Sequence, residues 1–270
     1  MHKIIEPPAY AVRHIGAVNW IGLWTLYCKE VKRFMKVGLQ TVFAPAVTTI
    51  LYFAIFMLAL GGDHQVVHGL PFAEFLVPGL VMMGIVQNSF ANTSSSLLIA
   101  KVQGNIVDLL MPPLTAGELM LGFALGGATR GLVVGVVVGA MLYVFVPFTL
   151  ASIVIVLGFA VLAALLMSVS GVIVGIWANK FDDIATITNF FVTPLTFLSG
   201  TFYSVDRLPP LFQQISHANP FFYMIDGFRS GFIGHADSPI WIGLGLLIGL
   251  NAILWTLCYR LLATGYKLKA

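Results

Sequence analysis

The chain of 270 residues is strongly apolar and nearly uncharged: 59% of its residues are hydrophobic, 9% are Asp, Glu, Lys or Arg, and the net charge is +3. Soluble domains carry about 25% charged residues, so this composition excludes an ordinary soluble domain. Residues 131–179 contain no charged side chain. As one helix they would be about 74 Å long, more than twice the hydrocarbon core of a bilayer, so they must turn and cross a membrane twice.

The first predicted element is an amphipathic helix over residues 18–36. Bulky apolar side chains recur on one face at helical spacing, and cations occupy the opposite face. The apolar face includes Trp20, Trp24 and Tyr27, and the cationic face includes Lys29, Lys32 and Arg33. This division is typical of a helix that lies in the membrane interface. The alternative is a helix packed on a protein core.

Six predicted membrane spans follow, each long enough to cross a bilayer as a helix. They cover residues 39–60, 75–100, 116–146, 150–178, 184–205 and 240–259. Lys and Arg concentrate before the first span, in the loops after the second and fourth spans, and in the tail. Because positive residues stay on the cytosolic side, both termini are expected in the cytosol. Basic residues at the membrane edge suit anionic lipid and do not indicate nucleic-acid binding.

The loop between the second and third spans contains a sharply bounded short helix. Asn105 is a candidate cap, Pro112 and Pro113 end the helix, and residues 115–118 form a capping box that starts the third span. The predicted helix comprises Asn105, Ile106, Val107, Asp108, Leu109, Leu110 and Met111. It is apolar on most sides and has no obvious partner within its own chain. Docking into a partner protein is favoured, and a position on the bilayer surface is the alternative.

The segment between the last two spans is long yet largely apolar. Two prolines open short helices there, and aromatic residues such as Phe221 and Phe222 favour immersion in the outer leaflet. Asp226 and Arg229 are three residues apart on one helical face, which predicts a local ion pair. A functional gate is the alternative for this acid and base.

Polar and small residues also occur inside the spans. Arg130 lies in the middle of the third span, where a cation must face protein or water. Both a structural hub and a substrate-path role remain open for Arg130. Its candidate partners are the polar residues of the second span, namely Gln87, Asn88, Asn92, Ser95 and Ser96. Glycine recurs at every fourth position from Gly127 to Gly139. This spacing predicts close helix packing, with a sliding interface as the alternative.

Three kinds of chemistry have no motif in this sequence. It contains no Gly-rich phosphate loop ending in Gly-Lys-Ser or Gly-Lys-Thr. No acid lies deep in a span, where a proton-coupled carrier would need one. No group of residues has the spacing of a metal site. We therefore expect no catalytic residue, metal or cofactor in this chain, and any active transport must draw its energy from another subunit.

Four segments resemble the permeases of the ABC type-2 exporter family, and the resemblance extends over about residues 20–269. The segments are WTLYCKEVKRFMK, GNIVDLLMPPLTAGE, NKFDDI and LSGTFYSVDRLPPLFQQISHANPFFYMIDGFRSGF. The resemblance is strongest to bacterial inner-membrane transport permeases. It implies a single membrane domain over residues 1–270, all-α with six spans, and a location in the bacterial inner membrane.

The resemblance also implies a homodimer with two ATP-binding cassette subunits, which would hold the ATP and Mg. Residues 105–111 would be a coupling helix and residues 18–36 a connecting helix. Export would follow a path between the two copies, and a lipid-like, amphipathic or glycan-type cargo is expected. Candidate path and gate residues are Asn88, Asn92, Arg130, Phe221, Phe222, Asp226 and Arg229. The alternatives are a non-transporting scaffold or assembly protein and, less favoured, a secondary carrier.

Overall fold

The computed structural model describes residues 16–60, 66–67 and 69–268. The described chain is almost entirely helical. Its helices are α1 (Trp20–Lys36), α2 (Ala44–Leu60), α3 (Phe72–Val102), α4 (Ile106–Leu110), α5 (Ala116–Phe145), α6 (Ile153–Trp177), α7 (Phe181–Ile187), α8 (Thr193–Phe197), α9 (Pro210–Ala218), α10 (Pro220–Ile233) and α11 (Ile240–Thr264).

Three kinds of irregular structure interrupt this helical pattern. π-Helical turns at Leu39–Phe43 and Thr188–Val192 precede α2 and α8, and a 3₁₀ turn covers Val205–Arg207. A minimal antiparallel hairpin, β1 (Val66–Val67) and β2 (Leu70–Pro71), precedes α3. The hairpin is a small departure from the expected all-α fold.

Helix α3 is the centre of the bundle and packs against α2, α5, α6 and α10. Of the residues in its membrane-crossing window, 83% are buried, against 17% for α11. Among the candidate spans in the described residues, α3 also has the lowest mean hydropathy. Polar side chains are costly against lipid, so the most polar span occupies the position most shielded by protein.

Glycines allow α5 and α6 to approach α3 closely. A Cβ atom on Gly131 of α5 would lie 2.7 Å from the Ile85 carbonyl oxygen, and one on Gly171 of α6 would lie 2.5 Å from that of Phe90. Both distances are too short for a methyl group. A Cβ atom on Gly139, by contrast, would lie 3.8 Å from Val81. The predicted close packing is therefore confirmed, but Gly139 has room for a side chain.

Two lysines tie together the last turns of three long helices. Lys101, near the end of α3, donates to the carbonyl oxygens of Ile176 and Ala178 at 2.7 and 2.5 Å. Lys267, just beyond α11, donates to that of Trp177 at 3.1 Å. These carbonyls belong to the end of α6, where helical carbonyls lack internal partners. The ends of α3, α6 and α11 therefore share one end of the bundle, here called the basic end.

Asp183 organises the start of α7. Its carboxylate accepts hydrogen bonds from the backbone N–H groups of Asn179 at 2.8 Å and Lys180 at 3.2 Å. An acid at the third helical position, bonded back to the backbone before the helix, thus helps to fix where α7 begins.

Five helices of the described chain are long and apolar enough to cross a membrane: Leu39–Ala59, Phe72–Val102, Ala116–Phe145, Ile153–Trp177 and Ile240–Thr264. The fifth predicted span, 184–205, is wrong in its bounds. Helical structure covers residues 181–197 and is shorter than any of these five. It ends because the chain turns at Gly200, whose φ of 73° is readily adopted by glycine.

Candidate functional site

Helix α4 confirms the predicted short helix but has a partner in its own chain. Ile106 and Leu109 are buried in the same hydrophobic cluster as Leu26 of α1 and Leu119 of α5. The expectation that α4 would find nothing to pack against is therefore wrong for these two side chains. Asn105 occupies the cap position, but its side chain makes no capping hydrogen bond.

The opposite face of α4 is apolar and exposed. Val107, Leu110 and Met111 are 54%, 40% and 76% exposed. Their spacing of three and four residues places them on one side of the helix. Asp108 beside them is also exposed. The seven predicted coupling residues thus divide into a face that holds α4 on the bundle and a face that is open at the basic end.

The start of α5 is fastened to the start of α1. The predicted capping box is confirmed: the Glu118 carboxylate accepts from the backbone N–H and the hydroxyl of Thr115 at 2.7 and 2.9 Å. Its other oxygen accepts from the backbone N–H of Asn19 at 2.5 Å, and the Asn19 amide donates to the Pro113 carbonyl at 3.1 Å. Sequence reasoning missed Asn19, although Asn directly before a helix is a capping signal.

Helix α1 runs alongside the first half of α5. Leu26 and Glu30 fill the spaces beside Gly122 and Gly126, where a Cβ atom would lie 2.5 and 2.6 Å from them. Farther along, the Tyr27 hydroxyl lies 3.1 Å from that of Thr129. The contacts of Leu26 with Gly122 and of Glu30 with Gly126 advance in the same direction on both helices, so α1 follows α5 over these positions. The long Tyr27 side chain reaches ahead of them to Thr129.

The two predicted faces of α1 are only partly confirmed. Trp20 and Trp24 are exposed and Tyr27 is half-buried. Lys29 and Lys32 are exposed as predicted. Arg33 was assigned to the same exposed cationic face, but it reaches into the bundle. Glu30 accounts for this difference, because its fully buried carboxylate needs a cation nearby.

A network of polar side chains connects α1 to α3. Glu30 and Arg33 form an ion pair at 3.2 Å. The Ser96 hydroxyl donates to the other oxygen of Glu30 at 2.8 Å. Arg33 also donates to the backbone carbonyl and the side-chain oxygen of Asn92 at 2.7 and 2.8 Å. Ser96 is one of the polar residues of the second span expected to supply partners, but its partner here is Glu30, which sequence reasoning missed.

Arg130 continues this network one turn farther along α3. It is half-buried, and it donates to the Asn88 side-chain oxygen at 3.1 Å. The predicted pairing of Arg130 with polar groups of the second span is confirmed. Together these contacts form a polar ladder, comprising Asn88, Asn92 and Ser96 of α3, Arg130 of α5, and Glu30 and Arg33 of α1.

The candidate gate residues of α10 lie in the protein interior at the opposite end of the bundle. Phe221 and Phe222 are buried. Asp226 accepts from the backbone N–H groups of Asp237 and Ser238 at 2.8 and 2.9 Å. The predicted ion pair of Asp226 with Arg229 is wrong, since its oxygens serve this loop instead.

Arg229 bonds to a different loop, the turn at Gly200. It donates to the Gly200 carbonyl at 2.6 Å, and its guanidinium carbon lies 3.9 Å from the centre of the Phe75 ring. Arg229 is buried, so a polar partner and an aromatic face replace its water. It thereby fixes the turn that follows α8 against the first turn of α3.

A cluster of aromatic rings near this turn was missed. Phe56 of α2 stacks on Phe202 with ring centres 4.0 Å apart, and Phe197 of α8 lies 4.8 Å from Phe202. Tyr52 joins them at 6.1 Å from Phe197. The cluster connects α2 to the end of α8. The spacing of four residues between Tyr52 and Phe56 places both rings on one face of α2. Their partners, Phe197 and Phe202, are far away in the sequence and could not be predicted from it.

Comparison with known proteins identifies the family. Residues 22–233 match the ABC-2 type transporter family. The chain is 41% identical over 251 residues to the inner membrane transport permease YadH of Escherichia coli K12, covering 93% of this chain and 98% of that protein. It is 26% identical to nodulation protein J of Sinorhizobium fredii NGR234, over 87% of each chain, and 23% identical to that of Neorhizobium galegae, over 86% and 88%. The chain therefore belongs to the ABC-2 type transporter family, as a multi-pass inner-membrane permease.

Proposed function

We propose that this chain is the membrane subunit of an ATP-driven exporter. Two copies would form a homodimer with two ATP-binding cassette subunits, which hold the ATP and Mg and hydrolyse the nucleotide. The cargo would be lipid-like, amphipathic or of glycan type, and it would leave across the inner membrane between the two copies. Family membership supports the transport role, and the two faces of α4 support the ATPase partner.

The exposed face of α4 is the observation that carries this proposal. Val107, Leu110 and Met111 form an apolar patch at the basic end, and Ile106 and Leu109 anchor the other face of the same helix. An apolar patch that is held rigidly suits docking into a groove of a partner protein. The seven residues 105–111 would then act as the coupling helix.

Force from an ATPase at α4 would reach both α1 and α5. Pro113, in the loop after α4, accepts from Asn19, and Glu118 binds both Asn19 and Thr115. A push on α4 would therefore move the start of α1 and the start of α5 together. The connecting helix would act as part of this lever, and its contacts with Gly122 and Gly126 would extend the movement along α5.

The orientation in the membrane follows from the same arrangement. The basic end would face the cytosol together with both termini, in keeping with the positive-inside rule. The exposed Trp20 and Trp24 would lie at the membrane interface. Residues 181–197 would provide the sixth crossing, and α9 and α10 would dip into the outer leaflet as part of the outer gate. The cargo path would lie along the first, second and fifth spans.

Co-purification tests this proposal directly. The cassette ATPase that accompanies the wild-type chain is first isolated from its native membranes. The double variant Leu110→Asp, Met111→Asp is then expected to lose this ATPase, because unpaired charges would enter an apolar groove, at a cost of several kcal/mol. The membrane bundle should stay folded, since both side chains are exposed.

Phe181→Asp is the matched control. Phe181 begins α7, follows the end of α6 at the basic end, and is 55% exposed. This variant should retain the ATPase. Wild-type recovery of the ATPase with the α4 double variant would contradict the coupling role. If no cassette ATPase accompanies the wild-type chain, the non-transporting scaffold becomes the better explanation.

A further inference from the structure

The polar ladder has more positive charge than negative charge. Within the ladder, Glu30 forms an ion pair with Arg33. Arg130 has the neutral side-chain oxygen of Asn88 as its acceptor, at 3.1 Å. A guanidinium offers five N–H donors in a fixed plane. The ladder thus combines two arginines with one carboxylate, and Arg130 has capacity for a further acceptor.

The two arginines are close enough to act on one ligand. They bind Asn88 and Asn92, which are one turn apart on α3, or about 6 Å along the helix axis. Two guanidinium cations at this separation repel each other. Repulsion of this kind is strong where water is excluded. An anion placed between the two guanidinium groups would relieve it.

The ladder also has buried donors without acceptors. Within the described part of the chain, Nε of Arg130 and Nδ2 of Asn92 are buried and have no hydrogen-bond partner. The oxygen of the Asn92 amide is occupied by Arg33. Buried donors of native proteins are normally satisfied, so two of them in adjacent turns indicate a missing acceptor.

A ligand can reach this place from one side. The Arg33 side chain is 29% exposed, and Arg130 is half-buried. Next to them on α3, Gln87, Ala91 and Ser95 are also half-buried, although most of this helix is buried. These three positions are four residues apart and form one stripe. The stripe gives access to the two guanidinium groups.

We infer that Arg33 and Arg130 form a binding site for a phosphate-type anionic headgroup. Its oxygens would accept hydrogen bonds from both guanidinium groups, whose planar geometry matches such oxyanions. Asn88 and Asn92 position the two arginines, and Glu30 limits the excess charge to one. The site belongs to the permease itself and does not rest on the proposed ATP-driven export.

Thermal unfolding of the purified permease in a neutral detergent tests the site. Phosphatidylglycerol, phosphatidylcholine and inorganic phosphate are titrated separately. Phosphatidylglycerol should raise the unfolding temperature in a saturable manner, whereas phosphatidylcholine should not. A matching effect of inorganic phosphate would mean that the free anion suffices, and an effect of phosphatidylglycerol alone would identify a lipid headgroup.

Two substitutions give opposite expectations. Arg130→Gln should weaken the apparent affinity for phosphatidylglycerol about tenfold, through loss of a charge-assisted hydrogen bond. Glu30→Gln should tighten it, because the local positive charge rises. Lys32→Gln is the control, since Lys32 is an exposed cation on the same helix as Arg33. Equal affinity of wild type and Arg130→Gln, or an equal loss in Lys32→Gln, would overturn the proposal.

A measurement on the wild-type chain covers the case in which Arg130→Gln does not fold. Phosphatidylglycerol with a photoactivatable group near its phosphate is crosslinked to the purified protein, and the modified peptides are identified. Adducts should concentrate on α1, α3 and α5 near the ladder. Adducts that are confined to other helices would contradict the site.

Discussion

The two regions that contain an acid and an arginine on one helix solve the same problem in different ways. In the polar ladder, Glu30 and Arg33 pair directly, and each also bonds to a different residue of α3, Ser96 and Asn92 respectively. In α10, Asp226 and Arg229 have the same spacing but bind different loops. The spacing alone therefore does not decide whether an ion pair forms. In α10, backbone groups of neighbouring loops bind Asp226 and Arg229 in place of an ion pair between them.

The first prediction concerns the outer region, where the hydrogen bonds of Asp226 and Arg229 hold two different loops. Arg229→Met would leave the Gly200 carbonyl without its donor and remove the contact with the Phe75 ring. We expect a loss of about 3 kcal/mol in the free energy of unfolding. Denaturation of the purified protein in mixed micelles measures this loss. An unchanged stability would show that Arg229 is not what holds the turn.

Asp226→Ala should have the next largest effect. It removes the acceptor of two backbone N–H groups and of the Ser238 hydroxyl. We expect a cost of about 2 kcal/mol and faster proteolysis or hydrogen exchange in residues 235–239. Asp226→Asn retains one acceptor oxygen, so its free energy of unfolding should lie between those of Asp226→Ala and the wild type. If Asp226→Ala instead disturbs the turn at Gly200, the two charges are coupled after all.

Close helix packing around α3 supports both regions. Alanine substitutions at two glycines of α5 test how close this packing is. Gly131→Ala should cost about 1–3 kcal/mol, because the new methyl group would press on the Ile85 carbonyl. Gly139→Ala should be neutral or stabilising by up to about 1 kcal/mol, since the site has room and alanine favours helix. Equal effects of the two substitutions would contradict the described approach of α5 to α3.

Among the variants expected to be destabilising, Glu30→Gln should have the smallest effect. The amide can still accept from Ser96, and Arg33 retains its two bonds to Asn92. We expect a cost of about 1 kcal/mol, measured by the same denaturation experiment. A cost as large as that of Arg229→Met would mean that the ladder depends on its single ion pair, as the outer region depends on Arg229.

The sequence was sufficient for features that depend on local patterns. Apolar length located the long helices, the box at Thr115 and Glu118 was correct, and prolines marked the starts of α9 and α10. Arg130 was assigned a partner in the second span because lipid excludes a lone cation, and Asn88 supplies it.

The errors arose where partners distant in the sequence decide the outcome. The buried side of α4 depends on α1 and α5, and the inward direction of Arg33 depends on Asn92. The predicted fifth span extends too far because the residues after Phe197 are apolar enough to continue a helix by composition. The turn at Gly200 and its bond to Arg229, which end the helix, are tertiary features.

The π-helical turn at Leu39–Phe43 has a consequence for the design of variants. A π turn contains one residue more than an α turn can hold, and each residue of an α-helix rotates the chain by about 100°. Deletion of Gln40 would therefore restore an α turn and leave the rotation of α2 unchanged, so Tyr52 and Phe56 would keep their contacts with the rings of Phe197 and Phe202. Deletion of Thr48, inside the regular part of α2, would instead rotate both rings by about 100° away from these partners. The π turn is thus a place where α2 accepts the loss of one residue, whereas the regular helix beyond it does not.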